Sequence, residues 1–170
     1  MPRTSRSLCD RDAIFSEVRA VYQELEQRPV ERDCLRRTEC CQFKLTGKTP
    51  YLTAGEALYA ADALRAQGKT RLEEKADGSC PLLDARTGRC QIYESRPFSC
   101  RTHFCAAAGG PYSRKEVIDL IRRLEDVDHA MGGPGAQTLP VAIKEALAGS
   151  AVSGRPGVLS KPMPRDRGRR

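Results

Sequence analysis

The chain is 170 residues long, carries a net charge of +7, has few aromatics and no Trp, and contains eight cysteines. That length suits one compact domain with a loose end and leaves little room for a second enzyme domain. No apolar run reaches the length of a membrane span or a signal-peptide core, so the expectation is a soluble, cytoplasmic protein with no membrane partner, in whose reducing surroundings thiols bind metal or do redox chemistry rather than form a disulfide framework.

The first predicted element is a helix over about Asp10 to Arg28, where Ile14, Val18, Val21, Tyr22 and Leu25 recur at spacings of three and four and so fall on one face. Pro29 ends it. The polar stretch that follows shows neither helical nor strand period and reads as a loop built around Cys34, Cys40 and Cys41. At "TAGEALYAADALRAQGK", Thr53 and Glu56 stand in capping-box register, Ala-rich helical sequence follows, and Gly68 suits a left-handed stop. The turn-rich "DARTGR" between Leu83 and Cys90 predicts a short β-hairpin that draws Cys80 and Cys90 together.

A further helix is predicted from Ser113, again with Glu116 in capping-box register, carrying Val117, Leu120, Ile121, Leu124 and Val127 on one face. The Gly-Gly-Pro-Gly run from Gly132 breaks it, and "LPVAIKEALAG" predicts one more short helix. Beyond Gly149 the composition cannot bury enough apolar surface to offset chain ordering, which predicts a disordered basic tail over 149–170 after a domain over 1–148. That tail holds Arg155, Lys161, Arg165, Arg167, Arg169 and Arg170 against Asp166, most of the net charge. It could attract nucleic acid or an acidic protein in a salt-sensitive way, or serve only as a solubilising end; no aromatic is interleaved in it for base stacking.

The chemistry lies in the cysteines. Metal sites need soft, deprotonated ligands on short loops that can wrap one point. This chain offers Cys34, Cys40 and Cys41 in one group and Cys80, Cys90, Cys100 and Cys105 in another, with His103 two residues before the last. His103 could be a ligand, a donor to a ligand or a surface residue. Cys9, alone ahead of the first helix, reads as a small buried hydrophobe, and His129 as a complement to a helix dipole. Arg96 and Arg101, flanking Cys100 with Pro97, could offset thiolate charge or simply pair with Glu94 or nearby carbonyls. No paired-carboxylate, Ser/His/Asp, phosphate-loop or dinucleotide motif is present, so whether the chain is an enzyme stays open.

The ordered pattern "CCQF…PYLTAGEA…CPLLDARTGRCQIYESRPFSCR" resembles the YkgJ-type cysteine-cluster family, described as zinc- or iron-chelating domains with a CxxCxxCC motif. The resemblance runs from about Cys34 to Cys105 and implies metal binding. Counted from Cys34, the motif's second cysteine falls on Arg37; if that family cysteine is a ligand, this chain has lost it or replaced it with another residue such as His103. The expectation is therefore a mostly α, metal-stabilised domain with a short β-hairpin. Its thiols would hold zinc or iron for structure or chelation. Alternatives are an iron-sulfur enzyme or electron-transfer protein using the same cysteines, and a nucleic-acid-associated zinc module using the tail. A single centre would draw mainly on Cys41, Cys80, Cys90, Cys100 and Cys105.

Overall fold

The computed structural model describes residues 11–28, 32, 34 and 37–149. Cys9 and the predicted basic tail from residue 150 onward lie outside these. Six α-helices dominate the described residues: α1 (Arg11–Glu26), α2 (Phe43–Thr46), α3 (Ala54–Arg65), α4 (Phe98–Thr102), α5 (Arg114–Ala130) and α6 (Leu139–Leu147). No helix among the described residues is long and apolar enough to cross a membrane.

Helix α3 is the centre of the molecule. It packs against α6 on one side and against α1 and α5 on the other. Its small residues make this possible: Ala57, Ala60 and Ala61 are all buried, so neighbouring helices approach from more than one direction without a thick layer of side chains between them. Gly55 lies at the tightest point, where an added Cβ would stand 2.9 Å from Val127 Cγ1 of α5 and 3.4 Å from Ile14 Cγ2 of α1. One apolar cluster joins α1 and α5 through Val18, Val21, Leu120 and Leu124. A second joins α3 and α6 to Leu82, Leu83 and Ile92 of the central loops.

The predicted caps are formed. Glu56 reaches back to the Thr53 amide at 3.1 Å, and Glu116 to the Ser113 amide at 2.6 Å. Gly68 takes a φ of 76° just past α3, the left-handed stop that its lack of a Cβ permits. Asp128, buried near the end of α5, accepts the Ala54 amide at 2.7 Å and the Gly135 amide at 2.9 Å, tying the start of α3 to the turn after α5.

Strand structure is slight. β1 (Tyr51–Leu52) pairs antiparallel with β2 (Gln137–Thr138), so the two-stranded sheet joins distant parts of the chain. The predicted turn over 80–92 also folds back on itself, but its ladder shrinks to one bridge, Leu83 with Cys90. The Asp84 carboxylate accepts the amides of Arg86 and Thr87, and Asp84 N–H bonds Arg89 O at 2.8 Å, so this segment is held as a side-chain-capped turn. The stretch read as pure loop contains a 3₁₀ turn, Glu39–Cys41, and the single helical turn α2. Both are too short to leave a periodic trace in sequence.

Candidate metal centre

Three loop systems converge beside α3. The first is the turn through Cys40 and Cys41, entered from Thr38, whose φ of 59° is unusual for a β-branched residue. The second is the 80–92 turn. The Cys80 amide donates to the Cys41 carbonyl at 2.7 Å, so a main-chain bond stitches the two cysteine groups together. The third is α4, which carries Cys100 and begins at Pro97, whose fixed φ of −60° starts the helix.

Two buried ionisable residues fix α4. The Glu56 carboxylate, 3 % exposed, accepts the Phe98 amide at 2.8 Å, the Tyr22 hydroxyl at 3.1 Å and both the amide and hydroxyl of Thr53. One side chain thereby joins α1, α3 and α4 directly behind Cys100. Burial pushes its pKa up, against the pull of those hydrogen bonds. Arg101, 8 % exposed, donates to the carbonyls of Arg96, at 2.9 Å, and Glu94, pairs with Glu26 at 2.6 Å, and lies 4.3 Å from the centroid of the Tyr22 ring. It closes the loop between Cys90 and Cys100 onto α1. Of the two roles read for Arg101 in sequence, it takes the carbonyl and carboxylate contacts, with Glu26 rather than Glu94 as the acid.

The result is a cavity of about 830 Å³ onto which Cys34, Cys40, Cys41, Cys80, Cys90, Cys100 and His103 all open. Cys105 begins the following 3₁₀ turn, Ala106–Ala108, and is not among the lining residues. The seven cysteines from Cys34 to Cys105 are free thiols.

Five of them act on one another electrostatically. Cys40 is pushed up by its interaction with the Cys41 thiol and by burial. Cys41 is pulled down by Cys40, but Cys80, burial and Cys90 outweigh this and push it up to about 12. Burial, then Cys90, Cys41 and Cys40, push Cys100 up. Cys90 is raised by burial, while the Ile92 amide and the Arg96 guanidinium pull the other way. His103 is lowered by burial and by the charge of Lys48. Thiols that crowd one another without a cation hold their protons; a bound soft cation reverses that balance by taking the thiolate.

Among the described residues, no group of three or more Cys, His, Asp or Glu side chains is placed to hold a metal ion. The donor chemistry nonetheless fits zinc or iron. Six sulfurs face one cavity, five of them from three short segments, the Ile92 amide points at the Cys90 sulfur, and Arg96 supplies positive charge near Cys40 and Cys90.

A small helical domain with thiols gathered from separate loops is the architecture of a metal-chelating module. The chain belongs to the CxxCxxCC family, described as a "Putative zinc- or iron-chelating domain", whose model matches residues 33–121, just over half of its length. No curated protein and no solved structure matches it.

Sequence reading located the cysteines but missed what positions them. Glu56 is legible only as a capping residue, since nothing local in sequence says that α4 docks on it. Lys48, facing His103, left no sequence signal at all.

Proposed function

We propose that the protein holds one zinc or iron ion through thiolates drawn from Cys40, Cys41, Cys80, Cys90 and Cys100, and that this ion organises the three loops around α3. The single observation that carries the reading is the convergence of those five sulfurs on one cavity, where each of Cys40, Cys41, Cys90 and Cys100 feels the charge or the thiol of others in the group. When bound, the cation supplies the positive charge that lets buried thiols ionise, and cross-links loops that contain little regular structure. Arg96 offsets part of the negative charge of the set, with its guanidinium stacked 4.0 Å from the Tyr93 ring centroid.

Purification without oxygen, followed by metal and acid-labile sulfide analysis, tests this. Colourless protein with one zinc, or iron without sulfide, at about one ion per chain is the expected result. Brown protein with stoichiometric sulfide would replace it with a redox-active iron-sulfur centre on the same thiols. Folded protein with no metal would refute both.

A further inference from the structure

The cavity is far larger than a tetrahedral ion and its sulfurs require. At about 830 Å³ it lies in the range of pockets that take small organic molecules. Beyond the thiols its wall is largely apolar and aromatic, with Phe43, Pro50, Leu82, Tyr93 and Phe104 on the lining. Among the described residues of its lining, charge is one-sided: Lys48, Arg89 and Arg96 face it against the carboxylate of Glu94.

Two of these cations act on different groups. Arg96 acts on Cys40 and Cys90 and stacks on Tyr93, so it belongs to the thiols. Lys48 is felt instead by His103. No carboxylate pairs with Lys48 among the described residues. Its backbone is well placed: Gly47 closes α2 with its amide on the Phe43 carbonyl at 2.9 Å, and the Leu139 amide holds the Pro50 carbonyl at 2.8 Å. A positive charge with no carboxylate partner among the described residues, exposed on a loop anchored at both sides and lining a largely apolar cavity, suits the acid group of a ligand whose body is apolar.

We propose that this cavity binds a small organic anion, a carboxylate or a phosphate ester, with its acid group at Lys48 and its apolar body against Phe43, Leu82 and Phe104, beside the metal. The inference rests on the metal reading only in assigning the thiol end to the ion; Lys48, the apolar wall and the volume are independent of it.

Titration calorimetry on the full chain as purified, with its metal content assayed in the same sample, tests the proposal using phenylacetate, phenyl phosphate and benzyl alcohol as probes. Saturable binding of one acid is expected, with benzyl alcohol about tenfold weaker or more, and the preferred acid tells carboxylate from phosphate recognition. Lys48→Gln is expected to weaken acid binding about tenfold while Lys48→Arg restores it, with melting temperature and metal content unchanged in both. Equal affinity for acid and alcohol, undiminished binding in Lys48→Gln, or no saturable binding of either acid would overturn it. A sample that lacks metal but shows the Lys48 dependence would refute the metal reading and leave this one standing.

Discussion

Arg101 Nη1 donates to Glu26 Oε1 at 2.6 Å, fastening the helix that carries Cys100 to the end of α1. The same guanidinium holds the carbonyls of Glu94 and Arg96, so one planar fork fixes both the loop before α4 and the helix itself. Lysine presents its donors from a single point and cannot span this arrangement. Arg101→Lys is expected to cost about 1–3 kcal/mol in denaturant unfolding and to lower the metal bound per chain. Unchanged stability and metal content would show that the fork is dispensable.

Glu56 makes a second fastening from the opposite side. Its two oxygens accept four donors from Thr53, Tyr22 and Phe98 in a buried setting. Glu56→Gln replaces one accepting oxygen by an amide donor, leaving donors facing donors. A loss of about 2 kcal/mol or more is expected, together with faster reaction of Cys100 with a thiol reagent, because α4 is then held less firmly.

The close approach of α3 to α1 and α5 leaves no space for a methyl group at Gly55. Gly55→Ala gains helix propensity but pushes a Cβ into Val127. Overpacking of about 1–3 kcal/mol should outweigh the propensity gain, giving a lower melting temperature. Adding Val127→Ala should recover part of the loss. A stabilised single variant would show that the helices separate at little cost.

Stability should depend on pH in two opposite ways. Glu116 is held below the usual carboxylate value of 4.5, first by the Ser113 amide and then by its hydroxyl, so its contribution is fully present above that value and is lost as pH falls through the lower folded pKa. Glu56 is raised above 4.5 by burial, so its contribution is greatest below 4.5 and declines as pH rises through the higher folded pKa. Melting curves from pH 3 to pH 7, roughly the window in which these carboxylates titrate, should show Glu116→Gln flattening only the acid-side decline. A variant profile parallel to the wild type would contradict the assignment.

The helices are legible in sequence because each carries its own instructions. The three- and four-residue spacing of Val18, Val21 and Leu25, and the paired caps Thr53 with Glu56 and Ser113 with Glu116, act locally and survive folding unchanged. The site is legible only as an inventory. Five residues from Phe98 to Thr102 are too few to show a helical period, and β1 and β2 are two residues each, paired through Tyr51 with Thr138 across about half of the chain. What brings Cys41 to Cys80 is a main-chain bond, and what seats Cys100 is a carboxylate on another helix; neither depends on side-chain patterning near the cysteines.

X-ray absorption at the metal edge of the protein, purified without oxygen, tests the shared sulfur centre most directly. The prediction is a first shell dominated by sulfur, at about 2.3 Å for zinc, that loses sulfur in Cys90→Ser and Cys100→Ser. A shell of nitrogen and oxygen alone, or one unchanged by both substitutions, would contradict the account.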